Sequence, residues 1–411
     1  MGIVIQKFGG TSLSTPQQRE RVCQAIQRER HKGNSVVVVV SAMGRADEPY
    51  ATDTLINLVK RDNLNPSRRE LDMLMSCGEI ISGVILTNKL QSHGEQAVFL
   101  NGWQAGIKTN SNHGDARIVA IDTRLIKKYL AEDYVVVVAG FQGISEDGEI
   151  TTLGRGGSDV TASALGVALG ADVIDIYTDV EGIMTADPRI VKNARLLDAV
   201  TYNEICQLAR EGAKVIHPRA VEIAMESNIP LRVRSTFSDS TGTLVGNYGE
   251  FNGDSVRIKR DRLITGITQM PGITQIRVEI QGEAGLPLRV FKAMALAEIS
   301  VDFITVTREV VIFTVLQEVA ERAREILENL GVSVATEPDC AKVAIVGAAI
   351  TGIPGVMAKV VEALTLNGIE ILQSGDSYTN IWCLVKRDQM ELAVKALHDK
   401  FDLGNQEGGE F

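Results

Sequence analysis

The sequence contains few cysteines and histidines, five of each in 411 residues, and neither type is clustered. The cysteines are scattered, odd in number and without a Cys-x-x-Cys pair. This pattern favours reduced thiols in a cytosolic protein over a disulfide framework. Because the histidine spacing does not match a zinc-ligand pattern, we also expect no metal ion bound directly by the protein.

Long apolar runs and an excess of one charge are also missing. No apolar segment reaches the roughly 18–20 residues that a membrane helix requires. The chain begins with a strand-like run, without the charged and apolar regions of a signal peptide. The formal net charge is −10, with acidic and basic residues well mixed, which argues against a nucleic-acid or anionic-membrane binder. We expect a soluble, cytoplasmic protein.

Strands and helices alternate in the first part of the chain. The predicted strands are Gly2–Gln6, Ser35–Val40, Tyr134–Ala139 and Val173–Tyr177, and the predicted helices include Arg19–His31, Arg69–Leu90 and Asp159–Leu169. Five consecutive valines, at positions 36 to 40, suit a strand that is buried on both faces of a parallel sheet. The order predicts an α/β fold in which helices cover both faces of a mostly parallel sheet.

The C-terminal part contains an internal repeat. Leu288–Ile304 aligns with Ala358–Ser374 at an offset of 70, and each copy reads strand–helix–strand–strand–helix. Two such α+β copies, which cannot each bury both faces alone, are expected to pack together. Ser238–Arg262 is rich in Gly, Ser, Asp and Asn, and it predicts the connection out of the first domain.

Each of the four predicted strands runs into a loop of glycine and small polar residues. The loops are Lys7–Ser12, Ser41–Gly44, Gly140–Gly143 and Thr178–Gly182. Ligands of open α/β sheets bind beyond the carboxyl ends of the strands. One edge of the sheet is therefore predicted to be the binding face.

Two glycine-rich segments suit phosphate binding. Lys7–Ser12 combines two adjacent glycines with a lysine and two hydroxyls, although the Walker A pattern is absent. Leu153–Asp159 places an arginine among three glycines before a helix, with Ser158 or Asp159 as the expected N-cap. Each segment by itself is also compatible with an ordinary turn or a flexible capped loop.

Glu79 is the only charged residue between Met73 and Thr87. A carboxylate in such an apolar helix requires a partner. That partner is predicted to be a substrate ammonium group, a neighbouring lysine or arginine, or solvent.

Further candidates lie in the last third of the first domain. Thr178 and Asp179 are compatible with a ribose or a metal-bound phosphate, Asp187-Pro188-Arg189 with a phosphate contact or a turn, and Lys214 with a nucleotide contact or simple exposure. His217 is expected to be structural.

The sequence shows no Ser/His/Asp set and no paired acid–base carboxylates. Phosphoryl transfer needs mainly positioning and charge neutralisation, for which lysine, arginine and glycine amides are sufficient. A carboxylate acceptor, with a pKa of about 4, is already ionised at neutral pH and needs no general base.

Together these motifs resemble aspartate kinase, of the amino acid kinase family. The resembling segments are KFGGTS (7–12), SAMG (41–44), TD (52–53), SCGE (76–79), AGFQG (139–143), TTLGRGGSD (151–159), YTDVEG (177–182), TADPR (185–189) and GAKVIHPRAVE (212–222). The C-terminal repeat is similar to the paired ACT domains of that family. Three segments, KAMALAEISVDF, CAKVAIVGA and ILQSGDSYTNIWCLV, are similar to the diaminopimelate-sensitive aspartate kinases of Gram-positive spore formers.

The resemblance implies a domain organisation. It comprises an amino acid kinase-like αβα sandwich at 1–240, a linker at 241–262, and two α+β ACT domains at 263–337 and 338–411. The C-terminal tail is a candidate to complete the first ACT domain.

The resemblance also implies an activity. The γ-phosphoryl group of ATP would pass to the β-carboxylate of L-aspartate, giving 4-phospho-L-aspartate for the pathway to diaminopimelate, lysine, threonine and methionine. Mg²⁺ would arrive on ATP, and meso-diaminopimelate or lysine would bind the ACT domains of a homodimer or higher homo-oligomer. The alternatives are another amino acid kinase, acting on glutamate, acetylglutamate, carbamate or UMP, and a non-catalytic ACT sensor.

Residue roles follow from the same resemblance. Lys7 would bridge the transferred phosphoryl group, Glu79 would bind the substrate ammonium, Arg155 would bind the α-carboxylate, and Asp159 would organise Lys7 and the metal–phosphate cluster. Aspartate would contact Ser41, Thr52, Glu79, Arg155, Gly156, Gly157 and Ser158. ATP would contact Lys7, Phe8, Gly9, Gly10, Ser12, Thr178, Asp179, Met184, Thr185, Ala186, Asp187, Pro188, Arg189 and Lys214. Met184 departs from the family pattern, because many relatives carry tyrosine there.

Overall fold

The computed structural model describes residues 2–213, 215–247, 264–280, 282, 285–348, 350 and 353–405. The chain divides into two compact units. Unit 1 consists of Met1–Ile183, Leu196–Ala209 and Lys214–Lys259, and unit 2 of Met184–Arg195, Arg210–Ala213 and Arg260–Phe411. Most of the predicted linker at 241–262 lies outside the described residues, as does Lys214. The predicted domain boundaries stay a prediction.

Strands and helices alternate along unit 1. Its strands are β1 (Ile3–Phe8), β2 (Ser35–Val40), β3 (Ala97–Leu100), β4 (Ile107–Thr109), β5 (Ile118–Ile121), β6 (Val135–Ala139), β7 (Gln142–Ser145), β8 (Ile150–Thr152), β9 (Val173–Thr178), β10 (Ala199–Thr201), β11 (Leu231–Ser235) and β12 (Thr243–Gly246). Its helices are α1 (Gly10–Leu13), α2 (Pro16–His31), α3 (Thr52–Lys60), α4 (Arg68–Ser92), α5 (Arg124–Ala131), α6 (Gly157–Leu169), α7 (Tyr202–Arg210, whose last residue falls in unit 2) and α8 (Pro218–Glu226).

The main sheet of unit 1 has eight strands in the order β10-β12-β11-β9-β1-β2-β6-β3. Its pairings are parallel except between β11 and β12. The predicted mostly parallel α/β sheet is therefore confirmed. A smaller sheet has the order β5-β4-β7-β8.

Local signals explain where the elements of unit 1 begin and end. The valines of β2 are fully buried, as expected for a central parallel strand. Strand β1 extends beyond the predicted Gln6, because Lys7 and Phe8 continue the ladder to both neighbouring strands. Helix α2 begins at Pro16, before the predicted Arg19, because a Thr15 capping box precedes it.

Unit 2 contains both copies of the repeat. Its strands are β13 (Gly266–Glu279), β14 (Asp302–Val306), β15 (Val310–Leu316), β16 (Val334–Val346), β17 (Gln373–Asp376) and β18 (Asn380–Lys386). Its helices are α9 (Leu286–Leu296), α10 (Gln317–Asn329), α11 (Val356–Leu366) and α12 (Met390–Lys400), with a 3-10 turn at Arg387–Gln389 before α12. Each copy reads strand–helix–strand–strand–helix, which confirms the prediction.

The two copies share one antiparallel sheet, in the order β14-β15-β13-β16-β18-β17. Its centre is the pairing of β13 with β16, the first strands of the two copies, so the predicted packing of the copies is confirmed. Ala186 and Val191, from the segment Met184–Arg195, lie in the core of the second copy. Within the described ranges, no helix is both long and apolar enough to cross a bilayer.

Leu86 tests the packing of α4 in unit 1. Its side chain is fully buried in the cluster formed with the strand valines, whereas Leu58 on α3 is 56% exposed. Leu86→Ala is expected to lower the free energy of unfolding by about 2–5 kcal/mol, because it removes buried methyl groups and leaves a cavity. Leu58→Ala is the matched control and should change it by less than about 1 kcal/mol. Equal effects in urea unfolding would contradict the assigned packing.

Candidate active site

The loops after four parallel strands of unit 1 are joined to one another at the carboxyl edge of the sheet. Main-chain hydrogen bonds run from Gly9 N to Tyr177 O (3.4 Å), Ser41 N to Phe8 O (3.1 Å), Gly44 N to Gly10 O (3.1 Å) and Gly140 N to Val40 O (3.0 Å). The sheet therefore gathers these loops at one edge, as predicted from the sequence.

Lys7 and Asp159 form an ion pair at this edge. Lys7 Nζ lies 2.7 Å from Asp159 Oδ1, and each side chain is only 12% exposed. Asp159 stands in the first turn of α6, and its Oδ2 accepts a hydrogen bond from His217 N at 3.4 Å. Since the pair is largely shielded from water, its attraction is stronger than that of a surface pair.

The start of α6 differs from the prediction that Ser158 or Asp159 is the N-cap. The N-cap is Gly156, which has a left-handed φ of +71° and forms no side-chain cap hydrogen bond. A Cβ at Gly156 would lie 2.4 Å from the His217 ring, so only glycine fits both the backbone conformation and the space. The first amides of α6 are thus not capped by a side chain, which suits an anion.

His217 is structural, as expected. It is the N-cap of α8, and its Nδ1 accepts a hydrogen bond from Arg219 N at 3.3 Å. Burial lowers the pKa of its imidazole, which keeps the ring neutral at pH 7.

Arg155 is exposed in the loop between β8 and α6. Among the described residues, no carboxylate forms an ion pair with its guanidinium. It lies two residues before Gly157, the first residue of α6. Its charge is therefore available for an anionic ligand near the start of that helix.

Glu79 is buried in α4, with 3% of its surface exposed. Its Oε1 accepts a hydrogen bond from Ala42 N at 3.0 Å, whereas Oε2 has no hydrogen-bond partner among the described residues. Gly78 allows this approach, because a Cβ there would lie 2.7 Å from that of Ala42.

The described residues do not supply the lysine or arginine partner predicted for Glu79, because none of them forms an ion pair with it. Burial also keeps its carboxyl away from bulk solvent. Burial raises the pKa of the Glu79 carboxyl from 4.5 to about 8, and the hydrogen bond from Ala42 opposes this shift. The free oxygen is therefore a candidate site for a ligand cation.

The other residues predicted to bind aspartate lie on neighbouring loops of unit 1. Ser41 follows β2, Thr52 begins α3, and the mostly buried Ser158 stands in the first turn of α6. Ser158 packs against Gly140, because a Cβ at Gly140 would lie 2.8 Å from that of Ser158. These contacts attach the start of α6 to the loop after β6.

The loop after β9 contains a contact that sequence reasoning missed. Asp179 forms a 2.7 Å ion pair with Arg45, and Thr178 Oγ1 donates a 3.3 Å hydrogen bond to Asp179. Arg45 directly follows SAMG in the sequence, but a single exposed arginine gives no signal by itself. The pair connects the loop after β2 to the loop after β9.

Met184–Arg189 belong to unit 2. Thr185 Oγ1 lies 3.0 Å from His398 Nε2 and also accepts a hydrogen bond from Arg195 N. Asp187 forms an ion pair with Arg189 at 2.7 Å, and the Arg189 hydrogen bond lowers the pKa of Asp187. Ala186 is buried, Pro188 is exposed, and Lys214 is outside the described residues.

Comparison with known proteins identifies the family. The profile of the amino acid kinase family matches residues 2–235, and a profile of the ACT domain matches residues 335–399. Aspartokinase 1 of Bacillus subtilis is 49% identical over 407 residues, which cover 98% of this chain and 100% of the relative.

Solved structures of aspartokinases also match this chain. E. coli aspartokinase III in complex with aspartate and ADP (R-state) is 27% identical, with a TM-score of 0.78 over 97% of this chain and 100% of that one. The same enzyme in complex with lysine and aspartate (T-state) is 28% identical, with a TM-score of 0.74 over 97% and 99% of the two chains. This chain therefore belongs to the amino acid kinase family and, within it, to the aspartokinases.

Proposed function

We propose that this chain transfers the γ-phosphoryl group of ATP to the β-carboxylate of L-aspartate and forms 4-phospho-L-aspartate. The observation that carries the proposal is the buried Glu79 carboxylate, whose Oε2 has no partner among the described residues. Its other oxygen holds Ala42, in the loop that is joined to the Lys7 segment. A substrate ammonium group is the natural partner for that oxygen.

The Lys7–Asp159 pair is the proposed phosphoryl-transfer centre. The Lys7 ammonium would neutralise charge on the transferred phosphoryl group. Its contact with Asp159, at 2.7 Å, would keep it in position. Gly9, Gly10 and Ser12 would offer amide and hydroxyl donors to the other phosphates. Fixed donors of this kind stabilise the transition state because they need no reorganisation during the reaction.

Two residues of opposite charge would recognise the ammonium group and the α-carboxylate of aspartate. Glu79 would bind the ammonium group and Arg155 the α-carboxylate, with Ser41, Thr52 and Ser158 nearby in the loops. The β-carboxylate is already ionised at neutral pH, with a pKa of about 4. Catalysis then consists of positioning and charge neutralisation, without a general base.

Mg²⁺ is proposed to enter with ATP. The described residues contain no group of three potential metal-ligating side chains, and Mg²⁺ in such enzymes is held mainly by phosphates and water with one or two carboxylates. Asp159 is the carboxylate that would face it. When bound, the ion neutralises phosphate charge. The assignment of Met184–Arg189 and Lys214 to the nucleotide stays a prediction.

Regulation is proposed to act through unit 2. Its repeat and the ACT profile favour an amino-acid effector, either meso-diaminopimelate or lysine, bound between ACT copies in a homodimer or higher homo-oligomer. E. coli aspartokinase III in complex with lysine supports this type of effector. A cytoplasmic location is proposed because scattered cysteines suit a reducing compartment.

The acceptor and the role of Lys7 are tested together. The protein is expected to release ADP from MgATP with L-aspartate and not with L-glutamate or N-acetylglutamate.

Lys7→Ala should lower kcat on the order of 10²–10³-fold, because a preorganised charged donor is lost. Lys127→Ala, at an exposed position on α5, is the control. Near-normal turnover by Lys7→Ala would contradict the role.

Glu79 predicts a pH dependence of aspartate binding. With a pKa of about 8 in the free protein, its carboxyl is mostly protonated at pH 7. An ammonium ligand stabilises the carboxylate, so binding should release a proton, and affinity should rise by up to about tenfold per unit between roughly pH 6 and 8. Calorimetry in buffers of different ionisation enthalpy counts the proton. Glu79→Gln should bind more weakly and without this pH dependence; an unchanged pH dependence would contradict the assignment.

The effector is tested by calorimetric titration of meso-diaminopimelate, L-lysine and L-threonine separately. One of the first two is expected to bind and to lower aspartate kinase activity over the same concentration range, with L-threonine as the control. Absence of binding by both would contradict effector recognition by unit 2.

A further inference from the structure

One face of α4 contacts three segments of unit 1: the loop after β2, the start of β7 and the end of β8. Asp72, Ser76 and Glu79 follow the spacing i, i+4, i+7, which places them on the same side of a helix. Glu79 holds Ala42 after β2, and the Ser76 carbonyl accepts a hydrogen bond from Gln142 Nε2 at 2.9 Å. Asp72 makes the third contact, which no step of the proposed function has used.

Asp72 is fully buried and has a complete set of donors. Its Oδ2 accepts hydrogen bonds from Thr152 N (3.1 Å) and Gly114 N (3.0 Å) and lies 2.9 Å from His113 Nδ1. Its Oδ1 accepts a hydrogen bond from the Thr152 hydroxyl. Hydrogen bonds to a charged acceptor are stronger than neutral ones, so this carboxylate fixes Thr152 through both its backbone and its side chain.

Thr152 is the last residue of β8 and lies three residues before Arg155. The segment between them is restrained further, because Leu153 N donates to Phe141 O (2.9 Å) and Gly157 N donates to Gly154 O (3.0 Å). Arg219 also holds this segment, since its Nη1 donates to Leu153 O at 3.3 Å. The backbone on both sides of Arg155 is thus fixed, while its guanidinium remains exposed.

A purely structural role does not require a carboxylate at position 72. A buried charge is costly unless every lone pair is used, and an apolar residue often serves stability equally well. Two of its four contacts are with Thr152, in the segment that leads into the Arg155 loop, and the other two are with His113 and Gly114. Asp72 and Glu79 are separated by seven residues of one helix, or about 10 Å along its axis. One rigid helix therefore connects Glu79, which would bind the substrate ammonium, to the segment that leads to Arg155, which would bind the α-carboxylate.

We propose that Asp72 is a positioning residue for aspartate binding: it fixes Thr152 and the following loop so that Arg155 meets the substrate α-carboxylate. The inference rests on the proposed function, because it assumes that Arg155 binds that group. Asp72 does not touch substrate in this account. It acts through Arg155 and leaves the phosphoryl-transfer pair of Lys7 and Asp159 in place.

Asp72→Asn tests this role, since it keeps the shape and removes the charge. The KM for aspartate is expected to rise about tenfold or more, because a misplaced binding group loses much of its effect. The KM for ATP should change by less than about twofold. Glu70→Gln, an exposed acid on the same helix, is the control. Equal rises in both KM values, or no rise in either, would overturn the proposal.

Thr152 provides a second test if Asp72→Asn folds poorly, as judged by thermal unfolding. Thr152→Val removes the hydroxyl bond to Asp72 at nearly constant shape and should raise the KM for aspartate, whereas Thr152→Ser keeps the hydroxyl and should preserve it. Equal KM values for the two variants would overturn the proposal.

A double-mutant comparison asks whether Asp72 acts through Arg155. In an Arg155→Met background, Asp72→Asn should add no further rise in the KM for aspartate. Independent, multiplicative effects would overturn the proposal. Failure of the proposed function is distinguishable, because the unmutated protein would then show no turnover with aspartate.

Discussion

A carboxylate that leaves water needs a partner for each oxygen, and Glu79 has a described partner for only one. The proposed aspartate site depends on this imbalance. The bonded oxygen connects α4 to the loop after β2, and the free oxygen is where we propose that the substrate ammonium group binds. Because burial raises the pKa of this carboxyl to about 8, it is mostly protonated at pH 7 until a cation binds. We propose that the ammonium group of L-aspartate is that cation.

We propose that the negative charge of the ATP polyphosphate is neutralised by a few local groups. The chain has a net charge of −10, so its overall field does not attract ATP. The sheet edge supplies Lys7, which Asp159 holds at 2.7 Å. The position of Lys7 depends on strand order, because β1 lies between β9 and β2 and adjacent parallel strands bring the ends of all three together.

Much of this arrangement could be predicted from the sequence. Runs of valine predict buried strands, and a glycine-rich loop after each strand predicts the binding edge. The predicted N-cap of α6 was wrong. The observed N-cap, Gly156, lies against His217, which is 61 residues away in the sequence. Asp72 was missed for a similar reason: its partners Thr152 and His113 are distant in sequence, and composition does not reveal them. The placement of Met184–Arg195 in unit 2 also depends on tertiary packing.

A crystal structure with L-aspartate and a non-hydrolysable ATP analogue tests the central claim most directly. The account predicts the aspartate ammonium within hydrogen-bond distance of Glu79 Oε2, the α-carboxylate on Arg155, and Lys7 at the terminal phosphate. An amino acid bound with its ammonium elsewhere, and Glu79 Oε2 still without a partner, would contradict it.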